Sequence, residues 1–265
     1  MSPRATAQAR PKGQLRIGIS GWRYPGWRGT FYPEGLAQRR ELAFASQRLN
    51  SIEINGSFYS LQTPENYERW YAETPPGFVF SVKGSRFITH MKRLRDIEVP
   101  LGKFFGSGVL ALQEKLGPFL WQFPPSMPLD MDRFSAFFGL LPKNTDEAIL
   151  VAQQHDHRLK TTPYTKVAKK RRLRYAVEIR HASFLTPEFI ALLRHHNIAF
   201  VIADTAGHWP YAEDITADFV YCRLHGDTEL YASGYMEAAL QNWAQKIRHW
   251  GQGTQVRGAT CIAAT

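Results

Sequence analysis

Along this chain the hydrophobic pattern switches between short β-like runs and longer stretches in which apolar residues recur every three or four positions. The short runs predict strands over 15–20, 51–55, 78–83, 118–123, 174–180, 200–204 and 219–225. Between them the helical period predicts helices over 38–49, 64–74, 130–141, 187–195 and 235–250. The last places Met236, Leu240, Trp243, Ile247 and Trp250 on one stripe expected to face a core. Pro64 and Pro187 suit first helical turns, with Thr63 and Thr186 as N-caps. Strand, loop and helix alternate without a low-complexity linker or tandem repeat, which points to a parallel sheet in an α/β fold. At 265 residues, 44% hydrophobic, the chain suits one undivided (β/α)8 barrel of the TIM type over 14–265. The connection over 143–173 is long for its place, and is expected to carry an extra helix over 145–155 before a basic loop.

Side chains alternate across a strand, so each run splits into two rows. In the second run Ile52 and Ile54 oppose Ser51, Glu53 and Asn55; in the third Phe78, Phe80 and Val82 oppose Val79, Ser81 and Lys83. Phe119, Trp121 and Phe123 oppose Leu120 and Gln122, and Tyr175, Val177 and Ile179 oppose Ala176, Glu178 and Arg180. Val220, Cys222 and Leu224 oppose Tyr221, Arg223 and His225. With the apolar rows against helices, the polar rows point into the barrel. Ser20, Glu53, Asn55, Lys83, Gln122, Glu178, Arg180, Asp204, Arg223 and His225 then surround one mouth at the strands' carboxyl ends, where barrels place active sites. The alternative is a satisfied ion-pair network, with Glu53, Glu178 and Asp204 balancing Lys83, Arg180 and Arg223.

As a site, this set offers Glu53, Glu178, Asp204 and His225 for proton transfer, and Lys83, Arg180 and Arg223 for a phosphorylated or carboxylated small molecule. A divalent metal on the first four suits their oxygen and nitrogen atoms, but they form no spacing motif and no metal is assigned. P-loop and dinucleotide fingerprints are missing, and the cofactor is not legible from the sequence. The run from Gly18 to Trp22 also fails as a serine-hydrolase elbow. Trp22, Tyr24, Trp27, Phe31 and Tyr32 suit stacking on a flat ligand or sugar, and equally suit covering the mouth. The net charge of +10 comes partly from a tail over 1–13, expected to be disordered, and from Lys169, Lys170, Arg171, Arg172 and Arg174. That block has no interleaved aromatics and reads as a solvated loop. Two cysteines outside any ligand spacing fit a reducing compartment, and no apolar run approaches a membrane span, so a cytoplasmic protein is expected.

Several blocks in order resemble the YecE-like barrel family, a domain of unknown function. They are Gly18 to Trp22 with Trp27, Gly29 and Phe31 to Pro33; Glu53 to Tyr59; Lys83 with Arg86 to His90; and Gln122 to Pro125. Glu178 to His181, Ala203 to Thr205, Thr216 to Tyr221, Arg223 to Gly226, Tyr231 and Ser233 to Tyr235 complete them. The resemblance implies a (β/α)8-type barrel and no particular reaction. Its blocks extend the candidate binding set, which becomes Ser20, Trp22, Asn55, Tyr59, Lys83, Gln122, Arg180, His181, Arg223 and Tyr231. Family members continue into an aromatic-rich eighth strand ending in Asn and Asp, whereas residues 251–265 here read GQGTQVRGATCIAAT. The expectation is a truncated or frame-shifted end without a normal eighth strand and final helix.

The leading functional reading is an enzyme, a hydrolase or isomerase, acting by acid-base chemistry on a small polar or phosphorylated substrate. Its alternatives are a nucleic-acid-associated protein using the basic block and mouth arginines, and a non-catalytic ligand-binding barrel. No membrane partner is expected, and the oligomeric state is not legible.

Overall fold

The computed structural model describes residues 13–230, 234–253 and 261–264, so the predicted tail lies almost wholly outside the described residues. Its strands are β1 (Leu15–Ser20), β2 (Ser51–Ile54), β3 (Val79–Lys83), β4 (Leu116–Gln122), β5 (Tyr175–Glu178), β6 (Ala199–Asp204), β7 (Val220–Leu224) and β8 (Cys261–Ala264). All pairings are parallel and follow chain order, and the sheet curls into a barrel. The short β8 pairs with both β7 and β1 and closes it, in a segment without the aromatic pattern expected of that position. The helices are α1 (Glu41–Ser46), α2 (Gly56–Tyr59), α3 (Pro64–Glu73), α4 (Glu98–Gly106), α5 (Met131–Leu140), α6 (Thr145–Ala152), α7 (Pro187–His196) and α8 (Glu237–Gly251). No helix among the described residues is long and apolar enough to cross a membrane.

Local chemistry accounts for the helix ends. The Asp130 carboxylate accepts the Arg133 N–H before α5, and Asn144 accepts those of Asp146 and Glu147 before α6. Thr186 caps α7 ahead of Pro187, while Asn197 ends it in the left-handed region at φ 51°. Thr63 holds the corresponding position before α3, but its side chain makes no cap bond.

Outward rows form the main core: Ile52, Ile54, Phe80, Val82, Phe119 and Trp121 pack against buried helical residues such as Trp70, Phe104 and Phe137. A second cluster sets Ile202, Val220, Cys222 and Leu224 against Trp243 and Trp250 of α8. Met236 and Leu240, predicted on the same stripe, are exposed, so only the later turns of α8 face the sheet. Inside the barrel Leu120, Ala176, Ala199, Val201, Ala203, Phe219 and Tyr221 form a plug beneath the mouth. Close approach demands a bare backbone at Gly84, where a Cβ would stand 2.2 Å from the Trp121 ring.

The connection from β3 to β4, for which the hydrophobic pattern predicts no element, holds a π-helical turn (Phe87–Met91), α4 and a 3-10 stretch. Helix α4 buries Pro100, Leu101, Gly102, Phe104, Phe105 and Gly106, so it shows no amphipathic stripe. The predicted helix over 38–49 is instead a 3-10 turn followed by the six-residue α1. In the basic block Lys170 pairs with Asp146 at 3.6 Å, Arg171 with Glu114 at 3.9 Å and Arg172 with Asp218 at 2.6 Å. Arg174 stands over the Phe219 ring.

Candidate active site

Register carries the polar rows to a common level: Ser20 is opposite Glu53, Glu53 opposite Ser81, Gln122 opposite Glu178, and Ala203 opposite Arg223. The Arg223 guanidinium grips Glu53 through both oxygens, Nε to Oε2 at 3.1 Å and Nη2 to Oε1 at 3.0 Å, and donates from Nη1 to Glu178. Ser20 donates to Glu53 at 2.9 Å and accepts from Asn55 at 2.6 Å. The Tyr221 hydroxyl donates to Glu53 at 2.7 Å and lies 2.9 Å from Ser81 Oγ. On the other side Arg180 Nε donates to Glu178 at 3.0 Å, and its guanidinium stacks 3.6 Å over Trp209.

This cluster is buried and charged: Glu53 and Glu178 are 1% exposed and Arg223 is 3% exposed. Burial pushes both carboxyls upward, but Arg223 more than reverses it, helped by Lys83 and the Tyr221 hydrogen bond at Glu53 and by Arg180 at Glu178, which settles at about 2. Burial, then Arg223, lowers the His225 imidazole to about 4. At neutral pH both carboxylates are therefore charged and engaged, and His225 is neutral.

Above the cluster, the mouth opens into a cavity of about 460 Å³ lined by Phe58, Tyr59, Lys83, Arg86, His90, Met91, Gln122 and Arg180. Three cationic side chains face it and no carboxylate lines it. Lys83 Nζ stands 4.3 Å from the Phe58 ring centroid, and its carbonyl accepts from Ser57 at 2.6 Å. Burial, then Arg223, brings the ammonium down to about 8. Burial, then Lys83 and Arg180, takes His90 to about 4. A neighbouring cleft of about 450 Å³ is walled by Trp22, Tyr24, Asn55, Tyr59, Arg69 and Trp70; the Tyr59 ring is common to both spaces.

A family model described as "Protein of unknown function DUF72" matches residues 16–262. The chain belongs to the DUF72 family. Among curated relatives, UPF0759 protein YunF of Bacillus subtilis is 32% identical over 119 residues, 42% of this chain and 40% of that protein. UPF0759 protein YecE of Escherichia coli K12 is 29% identical over 128 residues, 43% of this chain and 44% of that one. The matched stretches thus span under half the length of either relative. Among solved structures, a DUF72 protein from Thermotoga maritima (TM1631) is similar with a TM-score of 0.70 at 23% identity, over 95% of this chain and 92% of that one. Another from Enterococcus faecalis (EF0366) reaches 0.61 at 15% identity, over 97% and 92%. These likenesses show a shared fold.

Within this DUF72 chain, the structure gathers Ser20, Glu53, Glu178 and Arg223 into the buried cluster, with Asn55 on its rim. Lys83, Gln122, Arg180 and Tyr59 line the cavity above. Trp22 lies edge-on to Trp70, 5.3 Å between ring centroids, in the neighbouring cleft. Asp204 does not join them. Its Oδ2 accepts from Tyr235 at 3.0 Å and from Trp243 at 3.2 Å, so it faces α8 on the outer side of the sheet. His181 acts locally, its Nδ1 accepting the Ser183 N–H at 3.2 Å to cap a short 3-10 turn. Tyr231 lies outside the described residues. Of the aromatic group after β1, Tyr32 is fully buried and donates to the Trp22 carbonyl at 2.6 Å, while Trp27 and Phe31 pack beside it. Only Trp22 and Tyr24 reach the cleft. Among the described residues no group of three or more His, Cys, Asp or Glu is arranged to hold a metal. Arg86 and His90 were missed as site residues, because they follow β3 in a π-helical turn that strand alternation does not reach.

Proposed function

We propose that the barrel mouth binds a small molecule carrying a phosphate or carboxylate group and acts on it as an enzyme by proton transfer. The observation that carries this is the cavity of about 460 Å³ lined by Lys83, Arg86 and Arg180 without an acidic side chain. In this reading the arginines and Lys83 hold the anionic group, Gln122 orients the ligand, and the neutral imidazole of His90 exchanges protons with it, whereas His225 is buried and lies outside the cavity lining. Glu53 and Glu178 fix the arginines and supply a constant field rather than protons. We read the fold as the (β/α)8 type with a shortened last strand, which places this chemistry at the end such barrels use. Lys170, Arg171 and Arg172 of the basic block are engaged in surface ion pairs, which favours the small-molecule reading over nucleic acid.

Thermal denaturation in the presence of inorganic phosphate, sugar phosphates and dicarboxylates tests the proposal. A saturable rise in Tm is expected, equivalent to about 2.7 kcal/mol at a hundredfold excess over Kd. Arg180→Ala and Arg86→Ala should each weaken the half-saturating concentration about tenfold. No response in the unmodified protein, or an unchanged one in both variants, removes the anion site.

A further inference from the structure

We propose that Lys83 is an amine nucleophile that captures the carbonyl carbon of a small anionic aldehyde, ketone or 2-oxo acid as an imine. The inference rests on the anion-binding reading of the same cavity and adds the substrate class. Two buried lysines in this chain make the case by contrast. Lys115, 5% exposed, is saturated: its Nζ donates to the carbonyls of Tyr71 and Thr74 at 2.6 Å and to the Thr74 hydroxyl at 3.1 Å. Lys83, 9% exposed, has no hydrogen bond or ion pair at Nζ among the described residues; it rests on the Phe58 ring and faces the cavity. A buried ammonium left in that condition is penalised, whereas a neutral amine is not.

The groups around Lys83 serve the reaction. Arg223 from β7 and Arg180, two residues beyond β5, add positive charge, and Glu53 and Glu178 carry the compensating charge. Arg86 and His90 come from the turn after β3, and the His90 ring meets that of Phe58 edge to face, 5.1 Å between centroids, while lining the same cavity as Lys83. The Lys83 lone pair forms the C–N bond as the carbonyl π pair moves onto oxygen. One nitrogen proton passes to that oxygen, with the His90 imidazole as relay. The second proton leaves nitrogen as the hydroxyl departs, so that one water is released and C=N forms without any change in oxidation state. Arg86 and Arg180 hold the phosphate or carboxylate of the same molecule.

The full chain is incubated with pyruvate, dihydroxyacetone phosphate or acetone, each with cyanoborohydride, and analysed by intact mass and peptide mapping. The expected result is one reduced adduct on Lys83, formed about tenfold faster with the anionic compounds than with acetone, and absent from Lys115. Its rate should rise about tenfold per pH unit up to about pH 8, where half the amine is free. Lys83→Arg should abolish it, and the peptide map of the unmodified protein decides the question if that variant does not fold. No adduct, or labelling spread over exposed lysines, overturns the proposal. If phosphate still raises Tm in that case, the anion site stands without the imine; if it does not, both fall.

Discussion

The buried cluster around Arg223 and the cavity above it are built from neighbouring residues of the same strands, yet they differ in how their hydrogen-bonding capacity is spent. In the cluster each Glu53 oxygen has two donors, and Arg223 is shared between two carboxylates. In the cavity Lys83, Arg86 and Gln122 face open space. Ionisable groups at the heart of this barrel are satisfied by one another and hold a fixed field, whereas those one step outward keep open space before them, as the proposed site requires.

The strongest way to break this comparison is to remove its centre. Arg223→Met strands Glu53 and Glu178 in the buried interior without their main counterion, and should cost about 3–5 kcal/mol in chemical denaturation. A loss below about 1 kcal/mol would mean that the cluster is not the scaffold described. Acid should expose the same difference more gradually. His225 and His90 have imidazoles lowered from 6.5 to about 4, so the unfolded chain binds more protons than the native one across that interval. Glu178, lowered from 4.5 to about 2, behaves in the same sense. The stability these three groups contribute is therefore present above pH 6.5 and is lost as pH falls, the two imidazoles carrying the loss down to about 4 and Glu178 extending it toward 2; a Tm that stays level between pH 7 and 3 would contradict the assigned charge states. The smallest effect is expected outside the barrel wall. Asp204→Asn weakens the acceptor of Tyr235 and Trp243, should cost about 1 kcal/mol, and should leave the phosphate response unchanged. A lost response would return Asp204 to the mouth.

That last residue shows where sequence reading reaches its limit. In β2, β3, β5 and β7 one row is polar and the other apolar, so alternation alone reveals which side chains share the interior. Both rows of β6 are apolar up to its end, and the strand carries no mark of which way Asp204 points. Alternation also reports a face but not a depth, so Glu53 and Lys83 read as members of one set although one is sealed in the cluster and the other lines the cavity. Arg86 and His90 belong to an irregular connection whose buried α4 has no periodic stripe, and their placement depends on tertiary packing.

Trp121, the residue that forbids a side chain at Gly84, is itself wedged between the rings of Phe104 and Phe137. The peptide just beyond Lys83 is thus braced against an aromatic stack with no slack to take up. Whatever adjustment a guest molecule demands has to come from rotating lysine, arginine and tyrosine side chains, since the rim of β3 behaves as a fixed jaw.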